Sequence, residues 1–192
     1  RNYFKRHACC RYNHASLDAL EAIVAEAGGR IDPEAIERID VATYVWAAQL
    51  AGQEPHNMLA AKFSLPFSIA TTLVHGQASV PAFRAPALDD EKVRALARRV
   101  EVVEDKAMTQ ALPRERPARV KVILKSGKTY EAEARINRGD AENPYPRSAI
   151  LEKFMELSHP VFGAAGAAAI RDDILARPLD SSAEPLMRRL EA

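Results

Sequence analysis

Arg119-Val120-Lys121-Val122-Ile123-Leu124-Lys125-Ser126-Gly127-Lys128-Thr129-Tyr130-Glu131-Ala132-Glu133-Ala134-Arg135-Ile136 is the stretch that decides the fold class. Arg119 to Leu124 and Thr129 to Ile136 are the clearest strands in the chain, rich in β-branched residues. Lys125-Ser126-Gly127-Lys128 between them is a tight-turn signal, so the two strands form an antiparallel hairpin. Working upstream, Arg99 to Asp105 carries Val100, Val102 and Val103 and reads as a third strand, preceded by a helix that Asp89-Asp90 caps and that runs to Arg98. Ile36, Ile39, Val41, Thr43 and Val45 supply a fourth, over roughly residues 36–45.

Helices alternate with these strands. Leu17, Leu20, Ile23, Val24 and Ala27 form a stripe at helical spacing from Ser16 to Ala27, and Gly28-Gly29 stop it. His56 to Gly76 is apolar around most of its circumference and predicts a central core helix starting near Asn57, with Pro66 as an internal kink. Trp46 to Gly52 fits either a loop or a short helix. Asn137 to Arg147, with Gly139, Asn143, Pro144 and Pro146, reads as a crossing loop; beyond it Ser148–Leu157, Ala164–Leu175 and Pro185–Leu190 are all helical. The expectation is an α+β fold: a mainly antiparallel sheet with helices packed on it, over residues 1–141, followed by a helical C-terminal tail, 142–192.

A chain of 192 residues is long enough to bury a sizeable core, and its net charge of +1 leaves no footprint for nucleic acid or an anionic membrane. The only two cysteines are adjacent, Cys9 and Cys10; neighbours rarely close a disulfide, so both read as reduced thiols and the compartment as cytoplasmic. Adjacent thiols and scattered histidines lack the spaced ligand pairs of a tight zinc site, so no metal is expected. The N-terminus has no signal-like apolar region, and the charge-free stretch from Phe63 to Phe83 loses its apolar character near Val74, too early to span a bilayer. Nucleophile elbow, phosphate loop, zinc-helix and dinucleotide motifs are absent, which disfavours nucleotide and covalent-serine chemistry.

Chemistry concentrates in Lys5-Arg6-His7-Ala8-Cys9-Cys10-Arg11-Tyr12-Asn13-His14, just before the first amphipathic helix. The segment has no core-facing period, so packing does not explain its residues. Clustered cations would repel unless something anionic sat among them, and Arg and Lys hold carboxylates while His exchanges protons near neutral pH. The alternative reading is a solvated basic loop, with His14 bonded to backbone at a helix start.

Phe4 to Ala19 resembles the "K-x-x-x-C-C-R-x-x-H-x-x-x-D-A" start of the C-terminal domain in the MmgE/PrpD family, which includes 2-methylcitrate dehydratases and cis-aconitate decarboxylases. Ala61-Lys62-Phe63-Ser64-Leu65-Pro66-Phe67-Ser68-Ile69-Ala70, followed by Gly76, is similar to a second family block. Arg116 to Tyr130, continued by Gly139-Asp140-Ala141-Glu142-Asn143-Pro144 and Lys153-Phe154, resembles a third. The resemblance implies a lid-like α+β domain of a cofactor-free lyase for a small polycarboxylate. It also implies a preceding large helical domain, on which the tail would pack and which has no counterpart here, and a homodimer. On this view the chain, which starts without methionine, is a fragment inactive alone.

By the same resemblance His14 and Lys5 are the catalytic candidates, with Arg11, Lys62 and Ser64 binding substrate. His14 would donate a proton or a hydrogen bond, and Lys5 would fix a carboxylate. Phe67 departs from the aromatic hydroxyl common in the family, which puts the exact reaction in doubt. His7 is expected at the surface, His75 as a helix C-terminal cap, and His56 and His159 outside any site. Two other readings stay open: a non-catalytic subunit or interaction module pairing with a separate helical domain, and a carbon-acid isomerase or epimerase.

Overall fold

The computed structural model describes residues 2–190. The chain forms two compact units, Arg1–Pro144 and Tyr145–Ala192. In the first unit the elements run α1 (His14–Glu26), β1 (Ile36–Thr43), α2 (Val45–Ala48), α3 (Met58–Lys62), α4 (Leu65–His75), α5 (Ala85–Leu88), α6 (Glu91–Ala97), β2 (Val100–Glu104), α7 (Lys106–Gln110), β3 (Ala118–Leu124) and β4 (Thr129–Ala134).

Four strands make one sheet in the order β2-β1-β3-β4. The hairpin forms as its turn requires: β3 and β4 are antiparallel, with Val122 opposite Tyr130, and Gly127 takes φ +84°, a conformation that favours glycine. β1 is antiparallel to β3, with Val41 opposite Val120. β2 runs parallel to β1, with Val41 opposite Val102. A parallel neighbour needs a crossover, and α2 to α6 supply it. The sheet is therefore mixed, though antiparallel at two of its three pairings.

Alternation along the strands turns Ile39, Val41, Val120 and Val122 into the core. Over β3 and β4 lies α1, presenting Leu17, Leu20 and Ile23, all fully buried; α4 packs against β2 and α6. Helix α1 ends where Gly28 and Gly29 both take positive φ.

Three details differ from the sequence expectation. Pro66 does not kink a long helix. The 57–76 segment breaks into α3 and α4, and Pro66 lies in the first turn of α4, where a missing N–H removes no helical bond. The Ser64 hydroxyl accepts from Phe67 N–H at 3.0 Å and so caps the new start. Strands β1 and β4 stop short of 45 and 136: Val45 opens α2 with its N–H bonded to Thr109 Oγ1 at 2.9 Å, and β4 ends at Ala134. Asp105 is the N-cap of α7 rather than the end of a strand, accepting from Ala107 N–H at 2.9 Å.

The second unit holds α8 (Arg147–Ala176), interrupted at Gly163 with φ 69° and ψ 170°, and α9 (Glu184–Leu190). The two pieces of α8 take in Ser148–Leu157 and Ala164–Leu175. The Gly163 backbone (φ 69°, ψ 170°) lies in a region that only glycine adopts readily, so the chain bends there without strain. No helix among the described residues is long and apolar enough to cross a membrane.

Candidate functional site

The segment from Phe4 to His14 is a strap tied to three separate parts of the first unit. Phe4 N–H donates to Gly139 O at 3.0 Å, Ala8 N–H to Ala78 O at 2.8 Å, and Cys10 N–H to Lys62 O at 2.8 Å. The last bond brings the first and second sequence blocks together. Cys9 fills a core position, and burial pushes its thiol up to about 12, so it is an inert packing group rather than a nucleophile. Asn13 reaches across to Ser64 O at 3.3 Å and Ser68 Oγ at 3.0 Å. Arg11–Asn13 then make a single 3-10 turn that leads directly into α1.

Beneath the strap lies a buried polar cluster. The Arg11 guanidinium, only 7% exposed, bonds Asp140 Oδ1 at 2.6 Å and Arg138 O at 3.2 Å, reaches Phe4 O at 3.4 Å, and lies over the Tyr3 ring at 4.6 Å. It also meets Nδ1 of His14 at 3.1 Å. A guanidinium only donates, so Nδ1 is the acceptor and the ring proton sits on Nε2. His14 is fully buried, with the His7 ring edge-on to it at a centroid distance of 5.0 Å. His7 is itself 5% exposed and has Nε2 3.9 Å from Glu21 Oε1. The surface position expected for His7 is therefore wrong: its ring is buried against His14 and Glu21 on one face of α1.

On α1, His14, Asp18 and Glu21 are spaced i, i+4 and i+7 and share one face. Asp18 Oδ2 accepts from Arg138 N–H at 2.8 Å, and Glu21 Oε2 accepts from Arg138 NH1 at 2.7 Å. Burial pushes the Asp18 carboxyl up to about 6, helped by the nearby Glu21 charge and opposed by the Arg138 N–H bond and the Arg138 and Arg11 charges.

Sequence reasoning inferred an anion among the strap's cations, and the cluster contains three carboxylates of the protein's own: Asp140, Asp18 and Glu21. Arg11 is thereby drawn into an internal network and does not present its fork to solvent. Of the other candidates, Lys5 is exposed on the strap and Lys62 is half-buried at the end of α3. Ser64 is 3% exposed; its hydroxyl donates to Gly52 O while accepting from Phe67 N–H, so it is occupied as a cap. Phe67 is a core residue, 6.0 Å from Phe83 between ring centroids. His75 ends α4, as expected of a C-terminal cap, with Nε2 3.2 Å from Asp90 Oδ2. Sequence reasoning missed Asp18, Glu21 and Asp140. Helical spacing from His14 could have found the first two; Asp140 reaches Arg11 across 129 residues, and no local pattern announces it.

Among the described residues no group of three or more His, Cys, Asp or Glu side chains could hold a metal ion. No curated protein matches the chain. The profile described as the MmgE/PrpD C-terminal domain matches residues 7–176, beginning at His7 and taking in Arg11, His14, Asp18, the hairpin and Asp140. With the match covering most of the chain and the strap, hairpin and crossing loop falling inside it, the chain belongs to the MmgE/PrpD family and represents its C-terminal domain.

Proposed function

We propose that this is the C-terminal domain of a cofactor-free lyase, a dehydratase or decarboxylase acting on a small polycarboxylate such as 2-methylcitrate or cis-aconitate. The observation that carries the reading is the Arg11–His14 contact. It holds an imidazole with its proton on Nε2, beside a strap that carries Lys5. Dehydration beside a carboxylate needs a base to take the carbon-bound proton, an acid to protonate the departing hydroxyl, and cations to hold the carboxylates as charge develops. In this reading the His14 Nε2–H is a hydrogen-bond donor to the leaving oxygen, and Lys5 and Lys62 anchor carboxylates. The base that takes the carbon-bound proton and the acid that protonates the departing hydroxyl come from the helical domain. Arg11 fixes the ring rather than binding substrate. Because His14 and His7 are covered, substrate binding has to shift the strap or the 137–143 turn, a lid-type motion. A larger helical domain, and a homodimer, would complete the pocket.

The burial of His14 and the internal pairing of Arg11 favour a second reading, a non-catalytic module that pairs with a separate helical domain. The two are separated by assaying the protein together with its helical domain against a panel of small polycarboxylates. The lyase reading expects formation or loss of a conjugated double bond, weakened in Lys5→Met mainly through KM. No conversion, from a folded protein that nonetheless binds the helical domain, supports the module. Solvent deuterium entering the substrate without elimination would indicate isomerase or epimerase chemistry.

A further inference from the structure

Asp18 takes no part in the reaction proposed above, yet its placement is unusual for a carboxylate. It lies one helical turn beyond His14 on the same face of α1. It is 9% exposed, and its Oδ1 has no hydrogen-bond partner among the described residues. Asp18 borders a shallow, open depression of about 500 Å3, lined also by Glu133, Arg135, Arg138 and Glu142. Its other oxygen takes the N–H of Arg138, whose own carbonyl receives two donors from Arg11 at 3.2 Å. Arg138 is thus gripped through both its N–H and its C=O. A polar ring closes: His14 to Asp18 along the helix, Asp18 to Arg138, Arg138 to Arg11, and Arg11 back to His14 Nδ1.

We propose that Asp18 is a positioning residue for His14, acting through Arg138 and Arg11. Its carboxylate anchors the Arg138 N–H, and the anchored residue presents the carbonyl that fixes the guanidinium against the imidazole. A charged acceptor makes this bond stronger than a neutral one would. Protonation of Asp18 therefore loosens the grip on Arg138, and the loosening is felt at His14. The charged and titratable groups facing Asp18 are Glu21 on its own helix, Arg11 on the strap, Arg138 and Glu142 on the crossing loop, and Glu133 and Arg135 at the end of β4. His14 precedes Asp18 by one turn on the same helix face, with the His7 ring packed on it. Burial places the titration of Asp18 near pH 6, inside the range where this link operates.

The link to turnover rests on the lyase reading; the ring of contacts does not, and the test is chosen accordingly. In the isotope-labelled chain, nuclear magnetic resonance follows the His14 ring nitrogens, the Arg138 amide proton and the Asp18 carboxyl carbon as pH is varied. The expected result is one shared midpoint near 6 for the Asp18 carbon and the Arg138 amide, with an inflection at His14 at the same pH. In Asp18→Asn that inflection disappears while the fold, followed by circular dichroism, persists. If Asp18→Asn does not fold, the wild-type titration alone decides. An Asp18 midpoint near the ordinary value of about 4, or an Arg138 amide indifferent to it, overturns the proposal. So does a His14 inflection that survives in Asp18→Asn. In the complete enzyme Asp18→Asn should lower kcat roughly ten- to a hundredfold with KM little changed, as a small misplacement of a reacting group does. Absence of any turnover in the wild type would refute the lyase reading and leave the resonance result standing.

Discussion

Replacing Arg11 with methionine removes the group that joins the strap to the crossing loop. Four acceptors lose a donor at once: the carbonyls of Phe4 and Arg138, Asp140 Oδ1 and His14 Nδ1. Breaking one side of a buried ion pair costs about 3–5 kcal/mol, because the remaining charge is stranded. The side chain of Asp140 is 18% exposed, so water can reach it, and the lower end applies, about 3 kcal/mol. For a domain whose total stability is of the order of 5–15 kcal/mol, that is a large fraction. Urea denaturation of Arg11→Met, Asp140→Asn and the double variant measures it. Asp140→Asn should cost less, about 1–2 kcal/mol, since the carbonyls of Phe4 and Arg138 still receive the guanidinium. The cycle should return a coupling of at least about 1.5 kcal/mol. A coupling under about 0.5 kcal/mol, the range of exposed pairs, would refute the claim that Arg11 is the strap's internal anchor.

Asp18→Asn should be more stable than the wild type at neutral pH. The carboxyl is raised from 3.8 to about 6, so the folded state holds its proton more tightly than the unfolded state; stability is full below pH 3.8 and falls as pH rises through about 6. At about 1.4 kcal/mol per pH unit the loss is at most about 3 kcal/mol, and thermal melts of the two proteins should differ at pH 7.5 and converge below about pH 4. Equal differences at both pH values would contradict this. Ser64→Ala removes the cap of α4 and should destabilise by about 1 kcal/mol or somewhat more, measured by denaturant midpoint. Cys9, with its thiol raised to about 12 and its side chain buried, should resist alkylation in the folded chain, while half-buried Cys10 reacts first in peptide mass mapping.

What the sequence revealed follows from how far each signal reaches. The β3–β4 hairpin was legible because its turn chemistry and both strands lie within 20 residues, and the caps at Asp90 and the stop at Gly28-Gly29 are equally local. The parallel pairing of β1 with β2 was not, since it depends on how five intervening helices route the chain. Pro66 has two physical outcomes in an apolar segment, kink or new helix start, and the Ser64 cap two residues earlier selects the second. At the site, the sequence located the strap, while the Cys10–Lys62 backbone bond that ties it to α3 is a contact across 52 residues that only folding makes. It treated the strap's cations as seeking an external anion, because Asp140 is brought to Arg11 only by folding. His7 was misplaced for the same reason: a polar side chain is buried when a partner such as Glu21 arrives from another element.

The most direct test of the lyase account is the turnover of 2-methylcitrate and cis-aconitate by the protein together with the helical domain proposed to complete its pocket, wild type against His14→Gln. Glutamine keeps an acceptor for Arg11 but has no ring N–H to aim at the leaving oxygen. The account predicts conversion of one of these substrates by the wild type and a fall in kcat of at least about a hundredfold in His14→Gln, with KM nearly unchanged. Equal kcat in the two proteins, both folded, would contradict it.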